Sequence, residues 1–259
     1  MNNRADPPAK KAAAPKRPRG RRPQSQDLRA AKDALYREHI MEAAERIFAE
    51  QGFDATKMQD IARAVGISLG TLYQAYPGKS ELHRAILVAR SGQMFNTVMA
   101  KGQQIFKQPK TIEHLLWLMN AHLMFLLQHP DYLRIQLQQG HAWYHSTAWP
   151  SSDEQMLWQR GLELMKEVFG WGQAEGMFIP GDVTDQARLM MALQQTRLAN
   201  WVGSGMKEAH GDVVAHVQAD FVRNFCRPQI AAGLLSQEGD SLGEAATRRI
   251  REIEGSSAG

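Results

Sequence analysis

Residues 60–79, DIARAVGISLGTLYQAYPGK, constrain the fold more tightly than any other part of the chain. Gly66 stands where a helix must stop and turn, because a positive φ costs glycine nothing. Ser68 then offers its hydroxyl as the N-cap of a second, short helix. Pro77-Gly78 ends that helix soon afterwards. Within it Leu72 points to the core, while Thr71, Tyr73 and Gln74 point away. Two helices joined by so tight a turn form a helix-turn-helix. In such a unit the first helix crosses a phosphate backbone and the second lays its N-terminal residues in the major groove of DNA.

The flanking sequence supports the same unit. Ile40, Ala43, Ala44, Ile47 and Phe48 recur at i, i+3, i+4, i+7 and i+8, one apolar stripe of a helix that starts near residue 28 or 36 and runs to 50. Gly52 is its expected stop. Thr56-x-x-Gln59 has the capping-box pattern, so the next helix is expected to open at Thr56. Ile61, Ala62 and Val65 face inward from it. A further helix is expected over 79–106, followed by helices near 111–128, 131–146, 152–175, 183–203 and 211–235. Pro130 and Pro180-Gly181 punctuate them, with Asp131 and Asp182 placed at the N-termini that follow. No run shows the sustained period-2 alternation of a strand. The chain is therefore expected to be all-α, with about nine helices.

Charge divides the chain unevenly. Residues 1–26 hold eight Lys/Arg and one acid, a surplus of +7 in a protein whose net charge is +4, so the remainder carries −3. This segment has almost no large apolar residues and is expected to be disordered when free. Between residues 27 and 90 there are nine basic and nine acidic residues, so the helix-turn-helix unit itself is neutral. A basic arm on a near-neutral body points to a polyanion met by the arm.

Other classes find little support. No secretory signal is visible at the polar, basic start. The most apolar run, 115–127, is broken by Asn120 and His122 and is too short to cross a bilayer, so no membrane is expected. The lone cysteine, Cys226, excludes an internal disulfide and suits a reducing cytoplasm. His141-x-x-x-His145 has a spacing that can hold a metal, but no Glu or Cys partner lies nearby, and no metal or cofactor is expected. No Ser-His-Asp order or nucleotide loop suggests an enzyme.

The motifs together resemble a known family. Ile40-x-x-Ala43-Ala44-x-x-Ile47-Phe48-x-x-x-Gly52-Phe53, Thr56, Ile61-Ala62-x-x-x-Gly66-Ile67-Ser68-x-Gly70-Thr71-Leu72-Tyr73-x-x-Tyr76 and Lys79-x-x-Leu82 resemble the N-terminal domain of TetR-family bacterial transcriptional regulators. The resemblance covers residues 37–82. It implies a three-helix DNA-binding domain followed by a larger helical regulatory and dimerisation domain. It also implies that Thr56, Ser68, Gly70, Thr71, Tyr73, Tyr76 and Lys79 face DNA. The partners implied are a palindromic operator, a second copy of the chain and a small apolar or amphipathic effector, with repression the expected outcome. The expected boundaries are a basic tail at 1–27, the DNA-binding domain at 28–90, the regulatory domain at 91–235 and a flexible tail at 236–259. A ligand-independent, nucleoid-type DNA-binding protein is the alternative.

Three finer expectations follow. Residues 16–23, KRPRGRRP, resemble an AT-hook, whose Arg19-Gly20-Arg21 core would enter a minor groove. As a plain charge run the same segment would touch phosphates without reading sequence. The last two long helices of the family form its dimer interface, which here implies Leu189, Leu193, Val217 and Phe221. Aromatic and methionine side chains in the middle helices suit an adaptable apolar pocket, with Trp117, Phe125, Trp143 and Trp158 as the expected lining.

Overall fold

The computed structural model describes residues 25–105, 111–138 and 152–256. Among them are eleven helices: α1 (Ser25–Gln51), α2 (Met58–Val65), α3 (Leu69–Ala75), α4 (Lys79–Ile105), α5 (Ile112–Gln128), α6 (Pro130–Gln138), α7 (Ser152–Ala174), α8 (Val183–Gly203), α9 (His210–Phe225), α10 (Pro228–Leu234) and α11 (Glu244–Ser256). The described residues contain no strand, only isolated bridges between Phe178 and Cys226 and between Leu235 and Leu242. No described helix is long and apolar enough to cross a membrane. The basic tail, with Arg19 and Arg21, lies outside the described residues, as do Trp143, His141 and His145.

The chain divides into two compact units, Met1–Glu38 and His39–Gly259. In the first, the described part is the opening of α1, whose residues from Ala30 to Glu38 are exposed apart from a half-buried Tyr36. The second holds everything from the helix-turn-helix onward. α4 runs without a break through the expected boundary at residue 90.

The helix-turn-helix forms for the local reasons read above. Ile40, Ala44 and Phe48 of α1, Ile61 of α2, Leu72 of α3 and Leu82 of α4 are fully or almost fully enclosed. Gly52 and Gly66 take left-handed φ values of 80° and 76°. At the second of these turns Gly66 N–H donates to the Arg63 carbonyl at 3.2 Å and Ile67 N–H to the Ala62 carbonyl at 3.0 Å, which closes α2.

The C-terminal half is built around α9. Val213, Val214, Val217, Phe221, Val222 and Phe225 are all buried, and α9 packs against α5, α8 and α10. Gln218 secures it by donating to the Leu116 carbonyl of α5 at 2.7 Å. Phe169, Phe178, Phe221 and Phe225 form an aromatic cluster with centroid separations of 5.0–6.1 Å. Gly172 makes room for it, since a Cβ there would stand 2.1 Å from the Phe178 ring. Asp182 caps α8 as expected, accepting from the amides of Thr184 and Asp185 at 2.9 Å.

Three expectations need correction. The single helix over 211–235 is two helices, because Pro228 disfavours helical backbone at Arg227. The freed Arg227 N–H donates instead to the Met177 carbonyl at 2.9 Å. Cys226 is buried at this break, and desolvation pushes its thiol up to about 12, so it is a packing residue. The tail after residue 235, expected to be flexible with one weak helix near 244–253, holds a packed helix. α11 docks on α5 through buried Ala246 and Ile250, and Arg249 Nε meets Glu113 Oε1 at 2.8 Å. Val217 and Phe221, expected at a subunit interface, are each 2% exposed within the protomer's own core. An apolar helical stripe says that something covers it, not whether the cover comes from the same chain.

Candidate nucleic-acid interface

α3 is held rigidly at both ends. The Ser68 hydroxyl oxygen accepts from the Thr71 amide at 3.0 Å, and the two hydroxyls of Ser68 and Thr71 lie 2.7 Å apart. At the far end Tyr76 N–H donates to the Leu72 carbonyl at 2.9 Å. Leu72 is 0% exposed and sets the rotation of the helix about its axis. Ser68, Gly70, Tyr73 and Gln74 are consequently turned to solvent, with Thr71 half-buried beside them. Tyr73 is 45% exposed, although a large ring of this kind usually finds cover.

Gly70 is the informative residue on this face. A Cβ built there would meet nothing closer than the Ser68 hydroxyl oxygen at 3.8 Å, an ordinary contact. Its φ is not in the left-handed region, so nothing inside the protein calls for glycine. Yet glycine within a helix costs about 0.5–1 kcal/mol relative to alanine. The bare backbone faces outward, which is what a partner surface in close approach requires.

Three of the residues expected to face DNA are engaged within the protein. The Thr56 side chain is buried, and its hydroxyl donates to the Gly52 carbonyl at 2.7 Å. It does not cap α2, whose N-cap is Lys57 with no side-chain bond. The reason is local: α2 opens one residue later than the capping-box pattern predicts, so Thr56 lies outside the cap position, and the Gly52 carbonyl accepts from both its hydroxyl and its amide, the latter at 3.3 Å. Tyr76 is buried and closes α3. Lys79 places its ammonium on the carbonyls of Phe53, Asp54 and Thr56 at 2.7, 3.2 and 3.0 Å, and 4.4 Å above the Phe53 ring. Those bonds use all three of its donors.

Lys79 thus pins the α1–α2 loop to the start of α4. His83 completes the joint, with its ring 5.0 Å from both Phe48 and Phe53. Burial, and then the Lys79 charge, pull His83 down to about 4, so it is a neutral packing group near pH 7. Replacing Lys79 with methionine keeps the stem but removes the charge. It should lower stability by about 1–2 kcal/mol, the lower part of the range for charged hydrogen bonds because the head group is only half-buried. Urea denaturation of the two proteins measures the difference.

The structure adds two groups to the outward set. Lys57 is exposed at the N-terminus of α2, and Gln74 sits one position beyond Tyr73. Nothing in the sequence singles out Lys57, since only the observed helix start places it there. In the C-terminal half, Trp117 and Phe125 of α5 are buried, with Phe125 stacked on His129 at 4.1 Å. Trp158 lies on α7, where its backbone alone is described. Leu193 is half-buried and Leu189 is 53% exposed on α8.

Comparison with known proteins agrees with this geometry. Residues 40–86 match the family described as bacterial regulatory proteins, tetR family. The HTH-type transcriptional regulator AcrR of Shigella flexneri is 38% identical over 50 residues, 19% of this chain and 23% of that protein. The match to that curated relative therefore spans about a quarter of its length. Solved structures extend the likeness in fold to most of the chain. The ketosteroid transcriptional regulator KstR2 of Mycobacterium tuberculosis superposes with a TM-score of 0.62 at 22% identity, covering 74% of this chain and 95% of that one. The fatty acid degradation regulator FadR from Bacillus halodurans gives 0.59 at 21%, covering 72% and 94%. The transcriptional regulator FadR from Bacillus subtilis, solved with stearoyl-CoA, gives 0.55 at 18%, covering 71% and 96%. With an exposed, capped α3, residues 40–86 carry the tetR-family module, on an all-helical body that shares its fold with these solved regulators.

Proposed function

We propose that the chain is a DNA-binding transcriptional regulator that represses by occupying a palindromic operator as a dimer and leaves it when a small apolar or amphipathic effector binds. The observation that carries the reading is the outward face of α3, where Gly70 has no internal reason to be glycine and Tyr73 stands uncovered. In this reading Ser68, Gly70, Thr71, Tyr73, Gln74 and Lys57 meet the DNA. Two copies of α3 would enter successive major grooves roughly 34–36 Å apart.

A surface on α8 favours the dimer. Asp185, Leu189, Ala192, Thr196, Ala199 and Gly203 follow alternating spacings of four and three residues and are exposed or partly exposed. This is the period of a helix that packs against a partner helix, with small residues allowing close approach. Leu189 and Leu193 belong to this region, whereas Val217 and Phe221 do not. The basic arm carrying Arg19 and Arg21 adds affinity through phosphate neutralisation or a minor-groove contact. Release follows if the effector prefers a dimer with the wrong spacing between recognition helices. The site of action is the cytoplasm.

Selection of bound sequences from random duplex DNA tests the reading and yields the operator. Tyr73→Ala should then weaken operator binding by about tenfold to a hundredfold, because each dimer carries the change twice, with thermal stability unchanged. Gly70→Ala makes the sharper test. It should raise stability by up to about 1 kcal/mol while weakening DNA binding. Operator affinity that is indifferent to both changes would remove α3 from the interface.

A further inference from the structure

The outward face of α3 carries no charge. Residues 64–78, AVGISLGTLYQAYPG, contain no Lys, Arg, His, Asp or Glu. Ser68, Tyr73 and Gln74 are exposed there, Leu69 and Thr71 are half-buried beside them, and Gly70 leaves bare backbone in their midst. The cations that flank this stretch along the chain are placed for other tasks. Lys79 gives its three donors to backbone carbonyls. Arg63 belongs to α2, where it meets Asp60 at 3.3 Å, and Lys57 stands at the N-cap of the same helix. The first helix of such a unit crosses the phosphate backbone, so its cations meet phosphates rather than base edges.

This composition limits which bases the face reads. In the major groove guanine presents two acceptors, O6 and N7, and is specified by the donors of Arg or Lys. Cytosine presents an amino donor and is specified by a carboxylate. α3 has neither kind of side chain. What it does have suits the other pair. Thymine presents a methyl group, which is stabilised by leaving water for an apolar surface. Leu69, the Thr71 methyl and the Tyr73 ring supply that surface, and Gly70 lets the groove come close to the backbone. Adenine presents a donor beside an acceptor, which a carboxamide matches with its own acceptor and donor. Gln74 is the one carboxamide of α3. The Ser68 and Thr71 hydroxyls, 2.7 Å apart, are partly engaged with each other, and a hydroxyl serves either pair.

We infer that α3 reads A·T pairs. Within each half-site the positions it specifies are thymines, recognised by their methyl groups through Leu69, Thr71 and Tyr73, and an adenine recognised through Gln74, with guanine unselected. This rests on the reading of the chain as an operator-binding regulator and narrows it to a class of sequence.

Selection from random duplex DNA by the wild-type, Leu69→Ala and Gln74→Ala proteins is the test. Positions whose base preference relaxes in either variant are those that α3 reads, and they should be A·T pairs. In the selected operator, uracil in place of thymine removes only the methyl group. At a read position in both half-sites this should weaken wild-type binding by about tenfold, since each methyl withdrawn from water is worth about a factor of four. The same change should cost Leu69→Ala less than about twofold at the position that variant relaxes. 7-Deazaadenine, which lacks the N7 acceptor, should cost the wild type about tenfold at the Gln74 position and leave Gln74→Ala unaffected. The uracil measurement on the wild type needs no variant, so it decides the matter even where Leu69→Ala does not fold. G·C pairs at the relaxed positions, preferences that neither variant relaxes, or an operator indifferent to uracil at every thymine would overturn the A·T reading and leave the regulator reading standing. A wild-type chain that enriches no sequence would end both.

Discussion

Arg90→Ala should cost about 3–5 kcal/mol of stability, the range for removing one partner of a buried ion pair. Arg90 of α4 grips Glu45 of α1 with two bonds from Nε, at 3.1 and 2.9 Å, and one from Nη2 at 2.8 Å. Glu45 is buried, so removing the guanidinium leaves its carboxylate without its charge partner. The damage should spread, because the pair belongs to a larger joint. Ser91, next along α4, shares a 2.8 Å hydrogen bond with the buried Tyr132 hydroxyl of α6. Gln136 donates to the same hydroxyl at 2.8 Å, and Gln138 donates to the Ala49 carbonyl of α1 at 2.7 Å. α1, which supports α2 and α3, is thereby tied to α4 and α6. Pairing Arg90→Met with Glu45→Met should restore most of the loss, since two apolar groups of similar volume leave no charge stranded. Chemical denaturation of both singles and the double measures this. A single-variant cost under about 1 kcal/mol would mean that water enters the joint after all.

Phe178→Ala should be comparably severe, at about 3–5 kcal/mol. The ring is fully enclosed, edge-on to Phe221 at 5.5 Å and tilted against Phe169 at 5.5 Å. Cost at such a site depends on how well the surroundings can collapse into the void. Here one wall is Gly172, which has no side chain to move in. Backbone bonds also frame the site, with Phe178 N–H on the Gly172 carbonyl at 3.1 Å and Ile179 N–H on the Phe225 carbonyl at 2.9 Å. The cavity should therefore stay open, and the loss should fall in the upper part of the range. A shift in urea midpoint at unchanged slope, with operator binding intact below the transition, is the expected pattern. A loss below about 2 kcal/mol would show that the cluster repacks.

Much of the DNA-binding unit was legible in the amino-acid order, and the misreadings share one cause. Gly52, Gly66 and Ser68 act within a few residues of themselves, and each takes the conformation or bond expected of it. Thr56 failed as a cap because α2 opens one residue later, with Lys57 at the N-cap, which leaves the Thr56 hydroxyl outside the cap position and bonded to the Gly52 carbonyl. Lys79 was expected to face DNA, and its three acceptors were not legible because they lie 23–26 residues earlier in the chain. His122 was read only as an interruption in an apolar run, since its partner Gln194 is on a different helix. Val217 and Phe221 sit on a stripe whose periodicity was read correctly and whose cover was not. α11 has short apolar spacing and many charges, and its docking depends on α5, more than a hundred residues away.

What the amino-acid order determined by itself was the set of local decisions: where helices start, where glycine turns them, and which faces are apolar. Those depend on bonds and rotations spanning four or five residues, so local chemistry settles them. Only the tertiary structure decided which apolar face is covered by the same chain, which cations already have acceptors, and which backbone, at Gly70, is left bare to the outside. Such outcomes depend on the use of each donor, acceptor and surface by groups far away in the chain, and that accounting closes only when all the helices are packed together.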